Sequence, residues 1–196
     1  MKQYTPACDR NSEHILSVLK SIFIHPGKVL EIGSGTGQHA VYFSRGLPHL
    51  SWIPSDVPDQ LDSITAWRDE ADHDNLQAPV GLDLFDTHWP VEQVDHIVCI
   101  NTIHIVPWKA VEHLFAGVAR VLNQGGFLYV YGPYRYSDRP LEPSNEKFDL
   151  WLKERDPRSG IRDIGAVDAL AKTSGLKLVG DQSMPANNRS IWWHKL

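Results

Sequence analysis

The sequence predicts an α/β fold built on a doubly wound, mostly parallel sheet of about seven strands. Three observations carry that expectation. Strand-like and helix-like segments alternate along most of the chain, the first strand runs directly into a glycine-rich turn and a helix, and the last two strands follow one another with no room for a helix between them. Alternation of strands and helices calls for parallel strands joined by crossovers, whereas a short final connection calls for an antiparallel pair.

The N-terminal segment, residues 1–27, contains a helix expected over Asn11 to Ile24. Ile15, Leu16, Val18, Leu19, Ile22 and Phe23 form its apolar face, and Asn11 or Ser12 is its N-cap. Ahead of it, Tyr4 to Arg10 is expected either to fold over a ligand or to fray. Val29-Leu30-Glu31-Ile32 then reads as a short buried strand, Gly33-Ser34-Gly35-Thr36-Gly37 as a sharp turn, and Gln38 onward as a helix. Such a turn lets backbone N–H groups approach a ligand closely. A dinucleotide site wants G-x-G-x-x-G, but the spacing here is G-x-G-x-G and Gln38 occupies the last glycine's place. Glu31, two residues before the first glycine, would repel a pyrophosphate and suits a cationic end such as the ammonium of a methionine moiety.

Leu50 to Asp56 reads as the second strand, with Asp56 at its carboxyl end, 25 residues after Glu31. A carboxylate there can accept both hydroxyls of a ribose, with Val57 beside it; the competing reading is a cap for the helix that starts near Gln60 and Leu61. Ala78 to Asp86 is the third strand candidate. Asp83 with Leu84 fits the pattern of S-adenosylmethionine enzymes, in which an Asp here accepts from the adenine amino group and apolar neighbours sandwich the ring. Asp86 competes for that role or caps a turn. Val94 to Ile100 is nearly continuously apolar, as a parallel strand covered on both faces should be. It leads through Asn101 and His104 to a helix over Lys109 to Leu122, ended by Asn123-Gln124-Gly125-Gly126. Phe127 to Tyr134 is the fifth strand. Residues 134–163 form a lid-like insertion, a loop and short helix expected to cover an active site or to be mobile. The alternative is that Glu146 to Arg155 is a solvated amphipathic helix with Phe148, Leu150, Trp151 and Leu152 packed down. A last helix, Ile164 to Ser174, precedes the strands Leu176 to Val179 and Ser190 to Lys195, which Met184 to Asn188 join as an antiparallel hairpin.

At 196 residues the chain is long enough for one domain, 1–196, with a full core. A net charge of −5 argues against a broad nucleic-acid surface. Cys8 and Cys99 make no disulfide framework, and no apolar run or signal-peptide core is present, so a cytoplasmic protein without membrane contact is expected. Ten histidines show no H-E-x-x-H and no pair at i, i+4; they read as surface residues, and no metal site is expected.

Several motifs together resemble one family: Tyr4-Thr5-Pro6-Ala7-Cys8-Asp9-Arg10-Asn11, Glu31 to Ala40, Cys99-Ile100-Asn101-Thr102-Ile103-His104-Ile105-Val106-Pro107-Trp108, Tyr131-Gly132-Pro133-Tyr134, Ser144-Asn145, Arg155-Asp156-Pro157 and Pro185-Ala186-Asn187-Asn188. The family is domain-of-unknown-function family 938, which includes the methyltransferase-like 26 proteins. The likeness covers essentially the whole chain and departs mainly over Tyr136 to Pro143. It implies a class I, Rossmann-like methyltransferase fold and S-adenosylmethionine (SAM) as cofactor, with no known acceptor.

The expected cofactor residues are Glu31, Gly33, Ser34, Gly35, Thr36, Gly37, Asp56, Val57, Asp83, Leu84 and Asn101. His104, four residues past the fourth strand, is the candidate general base, against a reading as a loop histidine. Tyr4, Arg10, Asn11, His39, Tyr131 and Tyr134 are the candidate acceptor pocket, with core packing the alternative for Tyr131. The expected activity is methyl transfer to a small molecule. The alternatives are a protein or RNA methyltransferase and a non-catalytic SAM-binding regulator; a dehydrogenase is disfavoured by Gln38 and the terminal hairpin. The oligomeric state stays open.

Overall fold

The chain runs α1 (Pro6–Ile22), β1 (Gly27–Ile32), α2 (Gln38–Gly46), β2 (Leu50–Asp56), α3 (Leu61–Asp69), β3 (Val80–Gly81), β4 (Val94–Ile100), α4 (Trp108–Val121) and β5 (Leu122–Gly132). It continues through β6 (Tyr134–Arg135), α5 (Pro143–Arg155), β7 (Arg162–Asp163), α6 (Ile164–Thr173), β8 (Leu176–Met184) and β9 (Asn188–Lys195). All 196 residues are described in this computed structural model. Seven strands form one sheet in the order β3-β2-β1-β4-β5-β9-β8. The first five are parallel, β9 is antiparallel to both β5 and β8, and the order reverses between β1 and β4. The terminal hairpin is therefore as expected.

Because successive strand residues point to opposite faces, each strand serves two cores. Leu30, Ile32, Ile97, Cys99, Leu128 and Val130 face Val111, Leu114, Phe115 and Val118 of α4. Val29, Val98, Ile100, Tyr129 and Tyr131 face Ile15, Val18 and Leu19 of α1 and Ala40 and Phe43 of α2. Glu31 shares the parity of Val29, so its side chain belongs to the second core, beside Trp52.

Three expectations need correction. The first helix begins at Pro6, five residues before the expected start, because Thr5 is extended and Pro6 supplies a helix-compatible φ at the first position. Asn11 and Ser12 are thus buried inside α1 and cap nothing; the Ser12 hydroxyl donates to the Cys8 carbonyl at 2.6 Å. The third strand is only two residues long. After the Leu82 N–H donates to the Asp56 carbonyl, the Asp83 carboxylate accepts from the Phe85 N–H at 2.9 Å and turns the chain out of the sheet. In the insertion, Leu152 is buried but Leu150 and Trp151 are exposed, because the buried side of α5 is centred on Asp149 and Leu152. A short parallel ladder of β6 with β7, absent from the sequence reading, closes the base of the insertion.

Gly117 lies within α4, where alanine would ordinarily stabilise the helix by about 1 kcal/mol. A Cβ there would fall 2.0 Å from the Trp89 ring. Gly117→Ala is therefore expected to destabilise the protein by about 1–3 kcal/mol through overpacking. Urea unfolding measures this, and a stabilised variant would show that Trp89 moves freely.

Candidate active site

The glycine turn sits at the carboxyl edge of the sheet, beside the point where strand order reverses, the usual place for a ligand in an open α/β sheet. Gly33, Gly35 and Gly37 all have positive φ. Gly37 is packed so closely that a Cβ would meet the Ile64 backbone at 2.8 Å, whereas a Cβ on Gly35 would meet nothing within 4 Å. The turn is pressed onto α3 on one side and open at Gly35 on the other. Ser34 locks its start: its N–H donates to the Ser55 carbonyl at 2.9 Å and its hydroxyl accepts from the Ser55 N–H at 3.1 Å. Beyond the turn, the Ser63 hydroxyl donates to the Thr36 carbonyl at 2.8 Å.

Asp56 ends β2 facing this opening. One carboxylate oxygen accepts from the Gly35 N–H and the other from the Val57 N–H, each at 2.8 Å. Asp83 and Leu84 follow the short β3, partly exposed, and Val57 and Phe85 expose apolar surface along the same edge. These residues gather on one side of the turn.

Glu31 lies beneath it, 1 % exposed, its carboxylate accepting from the Trp52 indole N–H at 2.9 Å. Burial pushes its pKa up to about 7, while the hydrogen bonds from Trp52 and Ser34 oppose the rise and the Asp56 charge adds to it. No lysine, arginine or histidine pairs with it. A cation arriving at the turn would meet an uncompensated carboxyl group.

The segment after β4 forms the other side of the site. Asn101 adopts φ of 53°, a left-handed conformation uncommon outside glycine, and its N–H donates to the Tyr131 carbonyl at 2.9 Å. A Cβ on Gly33 would lie 2.6 Å from the Thr102 hydroxyl, so the glycine turn and this segment touch. His104 is 3 % exposed and its Nδ1 has no hydrogen-bond partner. Burial first, and the Arg162 charge second, lower its pKa to about 4, leaving a neutral imidazole at physiological pH. Its loop is braced by the insertion: the Gly160 N–H donates to the His104 carbonyl at 2.9 Å, and Arg162 Nε donates to the Ile103 carbonyl at 2.9 Å.

His104 and Asn101 stand in a cleft of about 1000 Å³. Arg10 and Asn11 enter it from α1, Tyr131 from β5, Asn145, Phe148, Trp151 and Arg155 from α5, and Pro185, Ala186 and Asn188 from the turn between β8 and β9. That turn is fastened to α5, because Asn145 donates to the Asn187 carbonyl and Asn187 donates to the Ser144 hydroxyl, both at 3.0 Å. Of the residues expected in an acceptor pocket, the structure gathers Arg10, Asn11 and Tyr131 here. Three lie elsewhere. His39 is buried behind Asn11, its Nε2 paired with the Asn11 Oδ1 at 2.8 Å and its ring stacked on Phe43. Tyr134 is buried in the core on the opposite sheet face, its hydroxyl without a partner, bordering a separate pocket. Tyr4 is exposed, hydrogen-bonded to Asp9, and borders a cleft between α1 and α2.

The histidines do not all read as surface residues either. His39, His96 and His104 are buried, because aromatic stacking and helix packing accept a neutral imidazole as a flat apolar ring. Nor does the N-terminal segment hang free. The Gln3 N–H donates to the Ser63 hydroxyl at 2.8 Å, the Thr5 N–H to Gln38 Oε1 at 2.6 Å, and the Trp67 indole to the Gln3 carbonyl at 2.7 Å. Phe148, Trp151 and Arg155, at i, i+3 and i+7 of α5, also line the cleft; the sequence shows them as a stripe on one helix face, and the structure shows what that face looks at.

The sequence pattern of a family described as "Protein of unknown function (DUF938)" matches residues 2–195. Among solved structures, an O-methyltransferase family protein from Burkholderia thailandensis superposes with a TM-score of 0.83 at 16 % identity, over 96 % of this chain and 57 % of that one. Human N-acetylserotonin methyltransferase in complex with SAM gives 0.81 at 15 % identity, over 96 % and 52 %. PH0226 from Pyrococcus horikoshii OT3 gives 0.77 at 14 % identity, over 98 % and 92 %. The chain thus spans little more than half the length of the first two proteins. At these identities the likeness is one of fold, the Rossmann-like methyltransferase sheet.

The buried ionisable groups make opposite contributions to pH-dependent stability. Glu31 has a folded pKa of about 7 against an ordinary 4.5, so the folded state holds the extra proton and stability falls as pH rises through that window. His39, His96 and His104 are pushed from 6.5 to about 4, so their contribution is lost as pH falls from 6.5 towards 4. Glu31→Gln keeps an acceptor for Trp52 and removes only the first effect. In ligand-free protein the variant is expected to be more stable than the parent at pH 8, by on the order of 3 kcal/mol, and to lose that advantage near pH 4.5. Urea titrations at both pH values test this; an equal difference at both would mean that Glu31 ionises normally.

Proposed function

The chain belongs to the DUF938 family, and from that premise we propose that it is a SAM-dependent methyltransferase acting on a small-molecule acceptor. The observation that carries this reading is the contiguity of two sites: a glycine turn open at Gly35, and beside it a cleft floored by Asn101 and the buried His104. SAM bound at the turn supplies a methyl group on a sulfonium, already activated by its positive charge.

The protein's own residues bind, orient and keep water out. In this reading Asp56 accepts the ribose hydroxyls with the lone pairs its two backbone bonds leave free, and Asp83, Leu84 and Val57 flank the adenine. Glu31 and Asn101, with the backbone of Gly33 to Gly37, surround the methionine end, where the ammonium compensates the buried carboxyl. Holding acceptor and methyl in near-attack geometry supplies most of the acceleration such a transfer needs. His104 faces the acceptor as a neutral imidazole and takes its proton if one must leave.

Calorimetry should show SAM and its demethylated product binding with a dissociation constant of about micromolar order, roughly 8 kcal/mol, and NAD not binding. Asp56→Ala should weaken SAM by about 1–3 kcal/mol, as for hydrogen bonds lost to a charged group. NAD binding in place of SAM would overturn the reading.

Once an acceptor is in hand, His104→Ala should leave SAM affinity nearly unchanged and slow turnover about 100-fold or more. Equal loss of binding and rate would make His104 a packing residue.

A further inference from the structure

The cleft holds two arginines, Arg10 and Arg155, and no aspartate or glutamate, although the whole chain carries 24 acidic against 19 basic residues. Neither arginine is in an ion pair, whereas Arg45, Arg135, Arg158 and Arg189 each have a carboxylate partner. Unpaired positive charge concentrated in a concave, low-dielectric wall attracts anions far more than the same charge spread on a flat surface.

The second feature is aromatic. Phe148 and Trp151 stack with centroids 5.8 Å apart and planes at 14°, and Trp151 is 50 % exposed. Arg155 lies over the Trp151 ring at 5.6 Å, and the His104 ring meets Phe148 edge to face at 5.5 Å. A continuous series thus runs from the buried imidazole through two rings to a guanidinium. It lies on one helix face, at i, i+3 and i+7. Phe148 also packs against the small core of Leu141, Leu152 and Ile161, but Trp151 and Arg155 are not needed to seat α5: the helix is anchored through buried Leu152 and through Asp149, which accepts from the Ile161 N–H at 2.7 Å and from Arg135 at 3.2 Å. Trp151 thus offers the cleft an apolar ring that a ligand can cover.

We infer that the methyl acceptor is a planar aromatic compound carrying an anionic group, its ring laid against Trp151 and Phe148 and its charge met by Arg10 and Arg155. This rests on the methyltransferase reading for the word acceptor; the ligand class itself rests on the cleft. Asn11, Asn145 and Asn188 make the rest of the wall polar and uncharged. The space, about 1000 Å³, admits a drug-sized molecule. His104, nine-tenths buried with an unpartnered nitrogen, sits at the ring end of the series and not at its charged end. A cationic acceptor would meet two unpaired arginines, and a saturated one would leave the aromatic wall unmatched.

The test is a binding titration on the full chain, run with and without excess S-adenosylhomocysteine. The probes are 4-hydroxybenzoate, 4-hydroxycinnamate and 5-hydroxyindole-2-carboxylate, each beside its carboxamide, with cyclohexanecarboxylate as the saturated acid. At least one aromatic acid should bind tenfold or more tightly than both its carboxamide and the saturated acid. Arg155→Gln and Arg10→Gln should each reduce that preference several-fold without changing S-adenosylhomocysteine affinity, while Arg155→Lys retains it. Trp151→Leu should remove the preference for the aromatic acid over the saturated one. If no acid binds better than its carboxamide, or if both glutamine variants keep the preference, the inference is overturned. Binding of S-adenosylhomocysteine is read in a separate titration. If that binding is intact and the acid preference absent, the acceptor class is wrong; if it is absent and the preference intact, the methyltransferase reading fails and the ligand class stands.

Discussion

At 1 % exposure the Glu31 carboxyl can remain in a dry core only because Trp52 donates to it and because the turn that follows is held over it. Much of the carboxyl edge of the sheet is arranged around that burial. Parallel pairing of β1 with β2 puts Val29 opposite Trp52 and Glu31 opposite Pro54, which carries the indole across to the carboxylate. At the next residue, the Ser55 hydroxyl donates to the Glu31 carbonyl at 2.7 Å, and Ser34 is bonded to Ser55 through both backbone and side chain. The glycine turn is thereby fixed relative to β2, and Asp56 at the next position reaches the Gly35 N–H. A carboxyl group left without a counter-charge in such a place stores an unfavourable interaction that a cationic ligand would relieve.

The N-terminal helix completes the enclosure. Its start at Pro6 brings Cys8 and Asn11 against His39, with the Cys8 thiol 3.7 Å from His39 Nδ1. Burial raises Cys8 to about 12 and lowers His39 to about 4, so both are neutral and pack as small uncharged groups. His39 thereby holds Asn11, which faces the cleft, without facing it itself. Residues 3 and 5 lie along α3 and Gln38, so the same segment also clamps the outside of the glycine turn.

The insertion between β6 and β7 braces the loop that carries His104. Gly160 and Arg162 hold the loop after β4 through its carbonyls, and Asp149 ties α5 to the same stretch. A loop whose backbone groups are satisfied by a second segment is rigid enough to hold an imidazole with an unpaired nitrogen, which a freely moving loop would turn to water. The cleft therefore lies between two segments outside the β-α alternation, and its charge and aromatic character come from them.

The sequence by itself determined the sheet and the turn. Apolar runs ending in turns, a glycine spacing that only positive φ can satisfy, and a last connection too short for a crossover are local signals, and they survive into the structure because local geometry sets them. Glu31, Asp56 and the glycines could be placed at one edge for the same reason. The first helix was misread because Asn11 and Ser12 look like caps while Pro6 starts the helix earlier; the third strand was overextended because Asp83 can end a strand as well as stand on one. Tertiary structure alone decided which side chains meet. Tyr134, Tyr4 and His39 have the chemistry of a pocket but are turned away, whereas Trp151 and Arg155, legible only as part of a helix, face it. Periodicity states that residues share a face; what that face looks at depends on contacts between segments far apart in the chain, here α1, α5 and the turn at Asn187, and on the hydrogen bonds that bring them together.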